Sequence, residues 1–268
     1  GSLTEPRGMT TREILGASFS LSNPRSRRTT LKSRGWSPGL AVAELLWNFR
    51  GEEAVEPLAF YNPRWRDFAD SEGVVRGSCY GARIFQPAAG NSSQWENVKK
   101  LLKMDPSTRR AVIDFRNGAD VSLPTNDMSC TNSLQFIARD GALHAFVTMR
   151  SNDLIWGVPY DVFLFTCLQE QMAIELGLRL GIYHHYAASL HVYERHFELA
   201  NRVAEEDLSM LAESTMPSIQ ESDELPRLSE AERAIRAGLV IPGLSYSEFE
   251  KTCIEMLMSH PKIQKQAA

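Results

Sequence analysis

The sequence predicts an α+β fold, a mixed β-sheet with flanking helices. Three observations carry that expectation. Two strand-like runs, 133–138 and 143–149, flank Arg139-Asp140-Gly141-Ala142, and Asp-Gly is the strongest short hairpin signal. A long apolar run over 160–178 follows, about five turns of helix at 3.6 residues per turn. The chain then returns to strand character from Tyr183 to Tyr193, so helices interleave with a hairpin and further strands.

The other elements follow in order. Residues 39–51 read as a largely buried helix ending at Gly51. Glu44 sits inside that apolar run, where a charge is costly unless it is paired or functional. Residues 63–81 (Trp65, Phe68, Gly73, Gly77, Tyr80, Gly81) suit a loop-rich segment bordering a cleft. Ser93 to Met104 reads as an amphipathic helix stopped at Asp105-Pro106, and 111–115 as a strand. Residues 205–228 turn polar and acidic and read as a linker or surface excursion. Two closing helices over 229–268 are expected to start at capping boxes, Ser229-x-x-Glu232 and Ser245-x-x-Glu248.

Composition bounds the function. With 268 residues, a net charge of −4, 43% hydrophobic and 23% charged residues, the chain can bury one substantial core, and a single domain over 1–268 is expected. The mild acidity argues against a general nucleic-acid binder. The densest basic stretch, Arg25 to Arg34, reads as a solvated loop. No apolar run reaches the ~18 residues of a membrane span and no signal-peptide segment opens the chain, so no membrane partner and a cytoplasmic protein are expected. Cys79, Cys130, Cys167 and Cys253 are widely spaced and form no CxxC, which fits neither a disulfide framework nor a metal site.

One of these thiols can then be a nucleophile. Cys130 stands in Asn126-Asp127-Met128-Ser129-Cys130-Thr131-Asn132, just before a strand. The ordinary reading of any cysteine is a buried structural one. Its sequence neighbourhood favours reactivity: an arginine beside it would lower its pKa and favour the thiolate. Arg109, Arg110, Arg150 and Ser151 supply the forked donors and hydroxyl needed to grip a phosphate.

Glu44-Leu45-Leu46-Trp47, Tyr80-Gly81, Arg109-Arg110, Cys130, Arg150-Ser151-x-Asp153, Gly157-x-Pro159 and His191-x-Tyr193, in that order and spacing, resemble the thymidylate synthases and their nucleotide hydroxymethylase relatives. The resemblance runs from about Arg7 to about His196. It implies a thymidylate synthase-like sheet and a homodimer formed through the sheets. Cys130 resembles the nucleophile that adds to C6 of a pyrimidine monophosphate, making C5 able to attack a one-carbon unit carried by 5,10-methylenetetrahydrofolate. Glu44 resembles the family's buried acid/base, and its apolar surroundings fit a raised pKa. Arg150, Ser151 and Arg7 look like phosphate ligands, and Arg109 and Arg110 like the pair reaching the partner's site. His191 and Tyr193 resemble the pair bonded to the sugar hydroxyl. Trp65, Asp153, Gly157 and Tyr160 resemble parts of the folate and base pocket.

Asp161 departs from the synthases, which carry asparagine there. The amide suits uracil, whereas an aspartic acid can protonate N3 and accept from N4 of cytosine. A mismatched buried donor or acceptor costs about 1–3 kcal/mol. That change marks the deoxycytidylate and cytidylate 5-hydroxymethylases, whose product is a 5-hydroxymethylcytosine nucleotide. Other departures are Ser129 and Thr131 beside the cysteine and Ala187-Ala188-Ser189 before His191; the chain after about Glu205 does not resemble the synthase tail. The expected function is therefore C5 hydroxymethylation of CMP or dCMP. Reductive methylation of dUMP and a non-catalytic nucleotide- or RNA-binding protein are the alternatives, and the choice of ribose or deoxyribose stays open.

Overall fold

The structure is a computed structural model that describes residues 1–87, 92–122, 127–207, 209, 214–243 and 245–267. Its centre is a mixed sheet of β1 (Ser2–Thr4), β2 (Thr11–Leu21), β3 (Val112–Asp114), β4 (Thr131–Arg139), β5 (Ala142–Met149), β6 (Asn152–Asp153) and β7 (Arg179–Tyr193). The order is β1-β2-β7-β5-β4-β3, with β6 beside β7. Strand β7 runs antiparallel to β2 and parallel to β5 and β6. The expected hairpin is present, with Asp140 and Gly141 both at positive φ (51° and 71°) between β4 and β5.

A parallel β5–β7 pair needs a crossover, and the long helix α5 (Val158–Leu176), packed on the sheet, supplies it. Thirteen of its residues are buried, and Gly177 ends it in the left-handed region at φ 67°. Across from it lies α1 (Pro38–Arg50), capped by the Ser37 side chain and stopped by Gly51 at φ 63°. The shorter helices before residue 205 are α2 (Glu56–Tyr61), α3 (Tyr80–Phe85), α4 (Gln94–Met104) and α6 (Phe197–Ala204). Gly81 is where α3 crosses α1: a Cβ there would overlap the Asn48 carbonyl.

Four expectations need correction. The region 205–228 is not a solvated excursion, for Met216, Ile219, Leu225 and Leu228 are in the core and α7 (Glu224–Arg236) begins inside it. Residues 208 and 210–213 of that stretch lie outside the described residues. Ser229 and Glu232 are not a cap but lie within α7, where Glu232 pairs with Arg50 and Arg236 and accepts from Tyr61. The capping box of α8 (Glu248–Met258) is Ser247 with Glu250, two residues beyond the expected one, and α9 (Pro261–Ala267) follows. Strand β2 is not among the expected elements; Gly16, at φ 67°, interrupts its pairing with β7 between Leu15 and Ala17.

The basic stretch is the fourth correction. Arg27 is 2% exposed and Arg34 7%. Arg27 pairs with the buried Glu170 and donates to Cys167 Sγ at 2.8 Å, while Arg25 Nε reaches Glu170 at 2.7 Å. Breaking a buried ion pair leaves the remaining charge undercompensated, here with only the half-exposed Arg25 on Glu170. Arg27→Met is therefore expected to cost about 3–5 kcal/mol in urea unfolding, and a cost near zero would contradict the pairing.

Candidate active site

Among the cysteines, Cys79, Cys167 and Cys253 are buried and Cys130 alone is partly accessible. It stands at the entrance to β4, on a loop held from two sides. Asp127 Oδ2 accepts from the backbone amides of Gly77 and Ser78 at 2.7 and 2.8 Å, and a Cβ on Gly77 would overlap Asp127. Arg150, just after β5, donates to the carbonyls of Ser129 and Met128 at 2.9 Å each and approaches Cys130 Sγ at 3.8 Å. Burial raises the thiol pKa; Arg150 pulls it down, Asp161 and Asp127 push it up, and Arg7 pulls it down. The net shift is upward, so the expectation of an arginine-stabilised thiolate is corrected. Arginine offsets only part of the desolvation, and the thiol is protonated until something takes its proton.

Glu44 is the one residue of α1 between Gly39 and Asn48 that keeps some exposure. Desolvation, then the Asp161 charge, raises its pKa to about 8. Asp161, in the first turn of α5, is raised to about 7 by desolvation, against a hydrogen bond from Asn152 Nδ2 at 2.7 Å. Its charge also acts on Tyr80, Tyr183 and Cys130. Cys130, Glu44 and Asp161 therefore share one electrostatic neighbourhood.

Protonated carboxyls carry a consequence for folding. Both groups have folded pKa values above their ordinary ones, so the folded state holds extra protons and stability falls as pH rises from about 5 to about 8. Glu44→Gln is expected to raise Tm above wild type near about pH 9 and to match it near about pH 5. An equal shift at both pH values would contradict the buried, protonated carboxyl.

The remaining expected residues divide into two groups. His191 and Tyr193 lie at the end of β7, half-buried, with ring centroids 5.1 Å apart. Residue Asp153 pairs in register with His191, and its Oδ1 accepts from the amides of Ile155 and Trp156 at 2.7 and 3.2 Å. Arg7 acts on both Cys130 and Tyr193 and adopts the left-handed region (φ 53°, ψ 35°), a strained conformation of the kind found at functional sites. Ser151 follows Arg150 and is half-buried. Gly157 opens α5 where a Cβ would lie 2.6 Å from Asn152 Nδ2. Tyr160 is 5% exposed and accepts from the Ser37 amide at 3.3 Å; Trp65 packs on Trp47 at 5.8 Å.

Arg109 and Arg110 are not brought to this cluster. They are exposed just before the edge strand β3, whose Val112 pairs with Gln135 and Asp114 with Ser133. Continuing that register puts Arg110 level with Ile137, seven residues along β4 from Cys130, or roughly 24 Å at 3.4 Å per residue.

Sequence reading missed several contributors. Trp156 stacks on Tyr160 (6.4 Å, 16°), and the Arg34 guanidinium lies over both rings at 5.5 and 6.0 Å. Arg34 Nε and Nη2 are buried with no hydrogen-bond partner among the described residues. Asn152, the unassigned position of Arg150-Ser151-x-Asp153, holds Asp161, and behind it stand His185 and Tyr183. Strand alternation could have placed Tyr183 and His185 on one face, but nothing local ties them to residue 161. An open hollow of about 420 Å³ lined by Arg12, Glu13, Leu154 and His191 touches the cluster at His191; Cys130, Glu44 and Asp161 lie outside its lining. Among the described residues no helix is long and apolar enough to cross a membrane.

Residues 2–229 match the family described as thymidylate synthase. The chain is 35% identical over 204 residues to a deoxyuridylate hydroxymethyltransferase of Bacillus phage SP01 and 32% identical over 203 residues to one of Pseudomonas phage M6. Those alignments take in 72% and 75% of this chain but 53% and 56% of the relatives, so the chain spans about half the length of the curated relatives it matches. Its fold is similar to the thermostable thymidylate synthase A of Bacillus subtilis, with a TM-score of 0.63 and 25% identity over 74% of this chain and 72% of that one.

Proposed function

The chain belongs to the thymidylate synthase family, and on that premise we propose that it transfers a hydroxymethyl group to C5 of a cytidine monophosphate, with 5,10-methylenetetrahydrofolate as one-carbon donor. The observation that carries the choice of base is Asp161, a half-buried, desolvated carboxyl with a pKa near neutrality, facing the neighbourhood of the one accessible cysteine.

The chemistry follows from these groups. Cytosine offers an acceptor at N3 and a donor at N4, and a carboxylic acid offers the converse pair. Adding Cys130 sulfur to C6 and a proton to N3 leaves C5 electron-rich, and Asp161 is the group able to deliver that proton. Arg150 holds the cysteine loop through two carbonyls and, with Ser151 and Arg7, supplies donors for the 5′-phosphate. Glu44, protonated to about pH 8, can both donate and accept at neutrality. His191 and Tyr193 are placed to bond the sugar.

The folate donor would supply the carbon and water the hydroxyl oxygen, while C5 loses its proton and the Cys130–C6 bond breaks to free the product. The near-parallel Trp156 and Tyr160 rings offer a flat apolar wall suited to a pterin or benzoyl ring, and the buried, unpartnered Arg34 nitrogens are complementary to an acceptor-rich ligand. Trp65, Asp153 and Gly157 are the other residues that the resemblance assigns to the folate and base pocket.

A homodimer sharing sites fits two features. Arg109 and Arg110 stand too far from Cys130 to serve it within one chain. The sheet also exposes Tyr186 (42%), in a strand whose His184 stacks on Phe146 at 4.4 Å. Both support a second chain packed on the sheet and presenting its arginines.

Release of tritium from C5-labelled CMP, dCMP and dUMP in the presence of the folate tests the base. Preferential release from a cytidylate is expected. The two phage relatives are named for deoxyuridylate, and preferential release from dUMP would replace the cytosine reading with theirs.

A further inference from the structure

Behind Asp161 lies a buried chain of three side chains that the chemistry above does not use. Tyr183 Oη is 2.8 Å from His185 Nδ1, His185 Nε2 is 3.1 Å from Asn152 Oδ1, and Asn152 Nδ2 is 2.7 Å from Asp161 Oδ2. Tyr183 is 0%, His185 2% and Asn152 2% exposed. The chain crosses elements: Tyr183 and His185 lie on β7, Asn152 on the two-residue strand β6 paired beside it, and Asp161 on α5. Gly157 makes the approach possible, because any Cβ there would stand 2.6 Å from the Asn152 amide nitrogen. Phe19 stacks on the His185 ring at 4.8 Å and fixes its plane.

The chain has a direction in the His185 tautomer that is protonated on Nε2, the one that matches an Asn152 amide turned with Nδ2 toward Asp161. A phenol at neutral pH can donate to Nδ1, which leaves the imidazole proton on Nε2 to be donated to the Asn152 oxygen. Asn152 then has only its NH2 to turn toward Asp161. Oδ2 of Asp161 faces a donor and is held as an acceptor, so the proton of the neutral acid resides on Oδ1. The order matters because a carboxylic acid free to carry its proton on either oxygen matches both bases: donor-then-acceptor reads the N3 and N4 edge of cytosine, and acceptor-then-donor reads uracil. We propose that Asn152, oriented by His185 and Tyr183, is the specificity-determining positioning residue of the site, fixing which oxygen of Asp161 carries the proton and so restricting it to cytosine. This rests on the cytidylate reading above and adds its cause.

Binding of CMP and UMP by calorimetry across pH, in wild type, Asn152→Ala and Tyr183→Phe, tests the relay without requiring turnover. The groups facing Asp161 are Glu44 on α1, Tyr80 on α3, Cys130 before β4, Asp153 and Asn152 on β6, and Tyr183 and His185 on β7. They are unchanged in Tyr183→Phe except for one hydroxyl. For Asn152→Ala the preference for CMP over UMP is expected to fall by roughly 10-fold, the equivalent of one mismatched hydrogen bond. The alkaline limb of CMP binding is expected to move to higher pH, because Asp161 has lost a donor that stabilised its anion. Tyr183→Phe is expected to move both readouts in the same direction by less, and carries the test if the alanine variant does not fold. Equal loss of CMP and UMP affinity with an unmoved pH limb would reduce the relay to a structural support and overturn the proposal. A wild type that binds UMP better than CMP would instead overturn the cytidylate reading, a different result in a different protein sample.

Discussion

Replacing Cys130 with serine is expected to abolish turnover, by about ten-thousand-fold or more, while nucleotide binding persists. Serine keeps the shape of the side chain and the Arg150 contacts to the Ser129 and Met128 carbonyls, which are made by backbone atoms and do not involve the sulfur. What it removes is a polarisable nucleophile whose ionisation lies far closer to neutrality than a hydroxyl's. The other three cysteines are buried and cannot substitute. Rate measurement with calorimetry separates the outcomes. A Cys130→Ala protein that still forms product would show that the site binds nucleotide without covalent catalysis through this residue, or that another group attacks.

Asp161→Asn is expected to invert base preference. An amide cannot give a proton to N3; once the Asn152 amide and the His185 tautomer reverse to accept its NH2, its oxygen accepts from uracil N3–H and its NH2 donates to O4. Each mismatch costs about 1–3 kcal/mol in a buried site, so cytidylate activity should fall by roughly 10- to 100-fold and activity toward a uridylate should rise. The substitution also removes a titrating group with a pKa of about 7. The pH dependence of kcat/KM should accordingly lose the limb near neutrality and keep the one belonging to Glu44. Competition between CMP and dUMP in one reaction reads the inversion directly, and an unchanged preference would mean that the base is read elsewhere.

The sequence made much of this arrangement legible because its chemistry is tied to local patterns. The hairpin turn at Asp140-Gly141 and the glycine stop at Gly51 are set by backbone geometry that only a few residue types accept, and the apolar run over 160–178 marks α5, so α1, β4, β5 and α5 could be placed closely. Glu44 stood out because a carboxylate interrupts a run that is otherwise buried. What escaped notice depends on distant pairing. Arg27 and Arg34 look solvated until Glu170 and the Trp156–Tyr160 wall arrive from α5 and its entrance. Met216, Ile219 and Leu225 read as isolated apolar residues in a polar stretch until the helices that cover them are in place. Glu232 matched a capping box by spacing, yet its partners, Arg50 and Tyr61, come from the other end of the chain. The pKa of Cys130 departs from expectation for a related reason: an arginine is visible in sequence, and the depth of desolvation that outweighs it is not.

The most direct measurement is the mass of the product formed from CMP, dCMP and dUMP, each incubated with the protein and methylenetetrahydrofolate. A cytidylate heavier by CH2O, with dUMP recovered unchanged, is the outcome expected of a thiol that attacks a ring selected by an acid at position 161. Unaltered cytidylates beside a uridylate that has gained CH2O or CH2 would contradict it.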